Sequence, residues 1–254
     1  MKTLFCNIIF VTIIIGVFTK INPTYATIDY VSNDANELHA AVSTGTADTI
    51  KFNFSGSIDF NALGVRLEVN RPLVFYSDAP RNIVFNGLGI PQGILVNIPA
   101  NVKFHGITFE NFSGSAIEHA QGNLSIENCL FQNNTGLSGG AIMSGLSGNI
   151  LKVTRCSFFN NSATTNGGAI YGSDQTEVLH STFFQNQCDA NGGAIYYYDY
   201  GAGAAGVSAF NTFYANRAPT GSGGGIYTNN GNLALHNNLF LDNIASSVEK
   251  DFYS

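Results

Sequence analysis

A short motif recurs along the chain, and its recurrence restricts the fold more than any other feature. FFQNQCDANGGAIY, at residues 183–196, joins Phe-x-x-Asn to a few polar residues and then to Gly-Gly-Ala-Ile. The same parts follow the same order in the segments at residues 131–142, 158–171 and 213–227, and partial copies start at Phe109 and Phe240. Self-similarity at intervals of 22 to 30 residues indicates a repeat architecture.

The residues before each motif Phe alternate between apolar and polar, as in LKVTRCSF (151–158) and LALHNNLF (233–240). A period of two predicts short β-strands. The repeat is too short for a four-stranded propeller blade, and it lacks the helical period of ankyrin-like or tetratricopeptide-like arrays. We therefore predict an all-β parallel solenoid in which each repeat forms one coil and pairs with the coils on either side.

In such a solenoid, equivalent residues of neighbouring coils stack about 4.8 Å apart. The motif Phe is then expected to form an internal aromatic ladder, and the motif Asn to sit at a bend where its amide bonds its neighbours. The two glycines permit a sharp turn into the next strand. The motif positions are Phe131, Asn134, Gly139, Gly140, Phe158, Asn161, Gly167, Gly168, Phe183, Asn186, Gly192, Gly193, Phe213, Asn216, Gly224, Gly225, Phe240 and Asn243.

Before Phe109 the repeat fades, but strand patterns separated by turn residues continue from residue 48 to residue 98. The helical signal in this region is ANELHAAV (35–42), with Asn33 or Asp34 as its N-cap. We expect this helix to cover the open N-terminal end of the solenoid. Residues 27–254 are thus predicted to be one β-helix domain, with the cap and irregular coils at 27–105 and the repeat coils at 106–254.

The first 26 residues differ in composition from the rest. Lys2 precedes the apolar stretch at residues 4–18, and the segment ends in Thr-Tyr-Ala. This pattern is typical of a cleaved signal peptide, and the apolar run is short for a membrane span. We expect cleavage near Ala26, export to the medium or the cell surface, and membrane association only through other factors.

The net charge of the chain argues against one class of partner. The chain has a formal net charge of −6 and no Lys/Arg cluster, so we expect no nucleic-acid partner.

Cys129 and Cys156 both lie two residues before a motif Phe, so they are expected to stack in adjacent coils. Two readings stay open, a disulfide between them and a pair of buried thiols. Cys188, after the motif Asn186, is expected to be exposed and unpaired.

The paired motifs resemble those of a known family. Repeated GGAI and FxxN motifs between Phe109 and Asn243 are similar to the repeats of the chlamydial polymorphic outer membrane proteins. The resemblance implies a right-handed, single-stranded parallel β-helix of the pectin-lyase-like type, displayed as an autotransporter passenger in the outer membrane, with adhesion as its role. Only a short segment follows the last motif here, so the family's C-terminal transmembrane barrel is not implied.

The best candidate for a binding surface is YYYDYGAGAAG (196–206), in which tyrosines precede small residues. Tyrosines on a Gly-rich segment give a large contact area at a low cost in side-chain entropy. We predict an exposed loop with Tyr197, Tyr198 and Tyr200 as its contact patch. The alternative is that alternate tyrosines line one face of a strand.

The sequence contains no convincing set of catalytic residues. The acidic residues of the repeats do not recur at shared positions, and no C-x-x-C spacing suggests a metal. Arg155 and His180 share the slot three before the motif Phe, which is either a bend or a binding column for an anionic sugar. We expect no catalytic residues, no metal and no cofactor. A carbohydrate-active β-helix enzyme, such as a polysaccharide lyase or glycosidase, remains the alternative.

The sequence thus predicts an exported, non-enzymatic protein of the cell surface or medium that binds like an adhesin through loops on the solenoid. The expected partner is a host-cell surface protein or a glycan. A third reading is a structural coat component that self-associates, helped by an uncapped C-terminal coil at residues 240–254.

Overall fold

The computed structural model describes residues 27–91, 93–173, 175–200, 206–229, 232–247 and 250–253. The predicted signal peptide, residues 1–26, lies outside these ranges, and so do residues 201–205 of the tyrosine-rich segment. The described residues include helix α1 (Ala35–Ser43) and a 3-10 helix (Phe60–Leu63). The strands are β1 (Ile28–Val31), β2 (Thr49–Phe52), β3 (Gly56–Asp59), β4 (Leu67–Val69), β5 (Leu73–Tyr76), β6 (Ile83–Asn86), β7 (Ile94–His105), β8 (Ile107–Glu110), β9 (Ile117–Glu127), β10 (Leu130–Gln132), β11 (Thr135–Gly136), β12 (Ile142–Ser144), β13 (Ile150–Thr154), β14 (Ser157–Phe159), β15 (Ser162–Ala163), β16 (Ile170–Ser173), β17 (Thr176–Leu179), β18 (Thr182–Phe184), β19 (Gln187–Cys188), β20 (Ile195–Tyr198), β21 (Gly206–Ala209), β22 (Thr212–Tyr214), β23 (Arg217–Ala218), β24 (Ile226–Asn229), β25 (Leu233–His236), β26 (Leu239–Leu241), β27 (Ile244–Ala245) and β28 (Phe252–Tyr253).

Three parallel sheets wrap around one core, which confirms the predicted parallel solenoid. Sheet A has the order β1-β2-β5-β7-β9-β12-β16-β20-β24-β28, with β13, β17, β21 and β25 forming a second row that branches from β9. Sheet B has the order β3-β6-β8-β10-β14-β18-β22-β26, and sheet C has β11-β15-β19-β23-β27. Each repeat coil visits sheet B, sheet C and the two rows of sheet A in turn, so equivalent strands of successive coils pair in register.

The chain turns at two columns of left-handed residues that flank each strand of sheet B in the repeats. Three residues before the motif Phe the φ angle is about 50 to 56°, and two residues after it φ is about 52 to 58°. The slot shared by Arg155 and His180 is therefore a bend, as one of its two readings proposed. Asparagine tolerates this conformation better than most residues, which accounts for the many asparagines beside the motif. The left-handed positions are Asn128, Arg155, His180, Phe210 and Asn237 before the Phe, and Asn111, Asn133, Asn160, Gln185, Ala215 and Asp242 after it.

The motif phenylalanines stack along the inside of sheet B. From Phe109 to Phe240, successive ring centroids lie 4.7 to 5.0 Å apart, with interplanar angles of 1 to 10°. Rings from Phe109 to Phe213 are at most 1% exposed. Each buried ring removes a large apolar area from water, so this column supplies much of the core.

The motif asparagines form a second internal column, at the corner between sheets B and C. The Asn186 side-chain nitrogen donates to the Phe158 carbonyl at 3.0 Å and to the Asn216 Oδ1 at 3.0 Å. Its Oδ1 accepts from the Asn161 backbone N–H at 3.0 Å and from the Asn161 Nδ2 at 2.9 Å. All four hydrogen-bonding positions of the amide are therefore occupied inside the core.

The glycine pair turns the chain from sheet C into sheet A. Gly167 has φ +66°, and a Cβ on Gly168 would lie 2.1 Å from the Gly193 carbonyl oxygen. In the coil at residues 213–227 the predicted position of the glycine pair was wrong by one residue. Gly223 has φ +64° and Gly224 carries the tight contact, so the pair is Gly223–Gly224 rather than Gly224–Gly225. Gly225 occupies the alanine column, because its carbonyl accepts from the Ala194 N–H.

The predicted helix covers the N-terminal end of the core. Leu38 and Val42 of α1 are fully buried, and the Asp34 side chain caps the helix by accepting from the Asn36 N–H at 2.7 Å. At the other end of α1, the Arg71 guanidinium donates to the Ala41 carbonyl at 2.8 Å and to the Val42 carbonyl at 3.2 Å. These bonds satisfy carbonyls that a helix leaves without partners.

The three described cysteines are free and buried. Of the two readings for Cys129 and Cys156, the structure shows stacked thiols; each sulfur donates to a backbone carbonyl, at 3.3 Å in both cases. Cys188 is unpaired, as predicted, but the prediction that it is exposed was wrong. It is 1% exposed and lies in a column of small residues on the inside of sheet C, with Ala163 and Ala218.

The asparagine column can be tested by changing Asn186 to Ala. The change removes the partner of the buried Asn161 N–H and the donor to the Phe158 carbonyl, so it should lower the free energy of unfolding by about 3 kcal/mol or more. Urea unfolding followed by far-ultraviolet circular dichroism measures this. Gln187→Ala, one residue on and exposed, is the control and should cost less than about 0.5 kcal/mol. Equal midpoints for the two variants would show that the amide column does not stabilise the fold.

Candidate functional site: a face of stacked tyrosines

A column of tyrosines runs along the outer face of sheet A. Strand register places Tyr171 beside Tyr196, Tyr196 beside Tyr227, and Tyr227 beside Tyr253. Successive ring centroids are 5.0 Å apart, with interplanar angles of 9, 12 and 3°. Each of these residues follows the core-packed Ile or Phe at the start of its strand, so the alternation of a strand directs it outward.

Two further tyrosines pack over this column. The Tyr198 ring lies 6.5 Å from both the Tyr171 and Tyr196 rings, and the Tyr200 ring lies 4.6 Å from Tyr198 at an interplanar angle of 57°. The Tyr200 hydroxyl donates to the Gly145 carbonyl, two coils back along the chain. A Cβ on Gly145 would lie 2.3 Å from the Tyr171 ring. We call the set Tyr171, Tyr196, Tyr198, Tyr200, Tyr227 and Tyr253 the tyrosine face.

The contact patch predicted from the sequence was wrong at Tyr197. This residue is 2% exposed and points into the core, where its ring lies close to Gly206. Tyr198 and Tyr200 do lie on the surface, and Tyr200 is 43% exposed. Tyr196–Tyr198 belong to strand β20, as the alternative interpretation proposed, while Tyr200 follows the strand. Sequence reasoning missed Tyr171, Tyr196, Tyr227 and Tyr253, although the Tyr after GGAI in two motif copies was a visible signal.

Burial favours the neutral phenols of two tyrosines in the column. It raises the pKa of Tyr171 and of Tyr196 to about 12, with smaller contributions from neighbouring tyrosines. Stacking also covers the ring faces, so the partly exposed Tyr171 and Tyr227 present mainly ring edges and hydroxyl groups to solvent, whereas Tyr196 is only 7% exposed. Phenol hydroxyls donate and accept hydrogen bonds, and the edge of an aromatic ring carries positive potential. The tyrosine face is therefore suited to a ligand rich in hydrogen-bond acceptors.

A second aromatic row lies on the outside of sheet B. Phe159, Phe184 and Tyr214 stack with centroids 5.2 and 5.3 Å apart. At the adjacent bend, His180 stacks on Phe210 at 5.0 Å. This row spans fewer coils than the tyrosine face, and among its residues only Tyr214 carries a hydroxyl group. It is therefore a suitable control surface for binding experiments.

Several charged side chains elsewhere on the surface form ion pairs. Glu127 accepts from Lys103 at 2.8 Å and from Arg155, and the bond from Lys103 lowers the pKa of Glu127. Lys152 pairs with Glu177 at 3.6 Å. Among the described residues no group of three His, Cys, Asp or Glu side chains could hold a metal ion. No helix in the described ranges is long and apolar enough to cross a membrane.

One buried pair has the composition of a catalytic base and nucleophile. His119 Nδ1 lies 2.8 Å from Ser144 Oγ, on the inside of sheet A. Both residues are at most 1% exposed, so no substrate can reach the serine. The His119 Nε2 has no hydrogen-bond partner among the described residues, and burial lowers the pKa of His119 to about 4. The pair belongs to the core.

Comparison with known proteins identifies the architecture. A family model described as a right-handed β-helix region matches residues 92–250, which is more than half of the chain. A comparison with curated proteins gave no match.

The buried His119 makes stability depend on pH. Its pKa is about 4 when folded, against 6.5 for a histidine in a solvated peptide, so the unfolded chain binds more protons between these values. Stability contributed by neutral His119 is complete above pH 6.5 and is lost as pH falls towards 4, by about 3 kcal/mol. Comparing urea midpoints of the wild type and His119→Asn at both pH values isolates this contribution from that of the carboxylates. Equal acid losses in the two proteins would contradict the assignment.

Proposed function

The chain belongs to the right-handed β-helix family, and we propose that it is an exported, non-enzymatic protein that binds ligands on cell surfaces through the tyrosine face. The solenoid is the scaffold, and its outer columns are the working surface. In this reading the protein acts as an adhesin at the cell surface or in the medium.

The observation that carries the proposal is the collection of six tyrosines on one rigid face. Tyrosine is enriched at protein interfaces, because it combines a large apolar area with a hydroxyl group and has few rotatable bonds. Stacking at 5.0 Å holds the rings in place before any ligand arrives. A ligand therefore loses little of its binding energy to ordering the surface.

Two sequence features support the rest of the proposal. The N-terminal segment has the pattern of a signal peptide, which supports export. The paired GGAI and FxxN motifs are similar to those of the chlamydial polymorphic outer membrane proteins, which are surface-displayed β-helical passengers. The alternative of a polysaccharide-cleaving enzyme has no favouring observation among the described side chains, and we do not propose it.

The proposal predicts saturable binding of the labelled protein to intact animal cells. Changing Tyr198, Tyr200 and Tyr227 to Ser removes three hydroxyl-bearing rings from the face, and it should weaken binding at least about tenfold, since anchor residues of this type often contribute more than about 1 kcal/mol each. Binding is measured by flow cytometry over a range of protein concentrations. The circular dichroism spectrum and melting temperature establish that the variant is folded.

The matched control changes Phe159, Phe184 and Tyr214 to Ser, which removes three stacked rings from the outside of sheet B. Loss of binding in both variants would point to general destabilisation or non-specific adhesion rather than to the tyrosine face. Absence of saturable binding by the folded wild type would exclude an adhesin that acts alone.

A further inference from the structure

The two ends of the solenoid differ in how their strands are covered. At the N-terminal end, α1 packs Leu38 and Val42 over the core. At the other end, β26 is the last strand of sheet B and pairs only with β22 among the described strands. Phe240 is correspondingly only partly buried, whereas the five preceding rings of its column are fully enclosed. An unpaired strand edge is a site for association with another chain.

The exposed side chains of β26 are unusual for their column. In strands β8 to β22 at least one of the two residues flanking the motif Phe is polar, whereas in β26 both are leucine. Leu239 is 57% exposed and Leu241 is 50% exposed. Within sheet B the pair of apolar flanks therefore occurs at β26, the strand that ends the described sheet. A stripe of this kind at a free edge is typical of an interface.

The free edge of β26 offers the backbone groups of Phe240. The Leu239 N–H donates to the Asn211 carbonyl at 2.8 Å, and the Leu241 carbonyl accepts from the Ala215 N–H at 3.0 Å. Both contacts point towards β22. Because backbone groups alternate in direction along a strand, the N–H and C=O of Phe240 point away from β22, to the free edge.

The sequence of β26, Leu-Phe-Leu, reads the same in both directions. A two-fold axis through Phe240 would therefore pair β26 with β26 of a second copy in antiparallel orientation. Phe240 would exchange both backbone hydrogen bonds with its own counterpart, and Leu239 would face Leu241 of the other copy on the outside. The inner rings would meet as well and extend the phenylalanine column across the axis.

A further parallel coil is a poorer occupant of this end. The Asp251 carboxylate accepts from the Asn243 Nδ2 at 3.0 Å, in the place where the next asparagine of the column would bind. A charge at this point opposes continued stacking. At the opposite end of sheet B the edge strand is β3, whose Ser57 and Asp59 flank the inward Ile58, so a head-to-tail contact would set the leucines against polar groups. An isologous contact closes after two copies.

We propose that the free edge of β26 is a homodimer interface, formed by antiparallel self-pairing of Leu239–Leu241 about Phe240. The contact is assigned to β26 because this strand combines an unpaired edge with two exposed apolar flanks; β25, β27 and β28 also end their rows among the described strands. An interface of one short strand is small, so the dimer is a weak one that forms at high protein concentration. This inference is independent of the tyrosine face.

Sedimentation velocity of the purified protein over a wide concentration range tests the interface. The wild type should shift from monomer to dimer as concentration rises. Changing both Leu239 and Leu241 to Lys places like charges opposite each other across the axis, and it should weaken dimerisation by about tenfold or more. The control changes Leu130 and Gln132 to Lys on β10, which has neighbours on both sides, and should leave dimerisation unchanged.

A charge swap tests the antiparallel register. Leu239→Lys combined with Leu241→Glu places opposite charges across the two-fold axis, so this variant should dimerise more strongly than the double-lysine variant, and added salt should reduce the difference. A protein that stays monomeric at all concentrations, grows beyond a dimer, or dimerises equally well with both lysines would overturn the proposal. A charge-swap variant no better than the double-lysine variant would overturn the register.

Discussion

In-register parallel pairing of successive coils is the constraint on which the rest of the structure depends. It places each side chain against its equivalents in the coils above and below, roughly 4.8 Å away. A column therefore accepts only groups that can lie against copies of themselves. Phenyl rings do this by stacking, and primary amides do it because each carries both donors and acceptors. Carboxylates and ammonium groups repel their own kind at this distance, which fits the low content of 11% charged residues.

Inner columns could be predicted from the sequence because they repeat one residue type. The positions of Phe158 and Asn186, the solenoid and the capping helix all followed from spacing and alternation. The same spacing also predicts that Cys188 is buried, although it was assigned to the surface. It lies five residues after its motif Phe, a position that holds Ala163 and Ala218 in neighbouring coils, and a column of small residues is typical of a tight interior. Because all residues after the motif Asn were interpreted as a loop, this column of small residues was missed.

The candidate site could be predicted only in part. Residue type does not reveal which side chains point inward when consecutive residues of a strand are identical. Three consecutive tyrosines, Tyr196–Tyr198, satisfy either alternation. Their directions are fixed by register with β16, where Tyr171 is outside and Gly172 is inside. Tyr197, which pairs with Gly172, therefore points inward, while the space beside Gly172 itself is filled by Thr176. Tyr200 was predicted as a contact residue, but its bond to Gly145 could not be predicted, because that bond joins segments that are 55 residues apart.

The ends of a solenoid are its weakest parts, because an internal coil is stabilised by two neighbours and a terminal coil by one. At the N-terminal end this deficit is offset by α1 and by the hydrogen bonds of Arg71. At the other end Asp251 completes the asparagine column, but Phe240 is only partly buried. Local unfolding should therefore begin in the last coil. Tyr253 lies in this last described coil and Tyr227 in the strand that pairs with it, so a partner that holds β26 in place also protects one end of the tyrosine face.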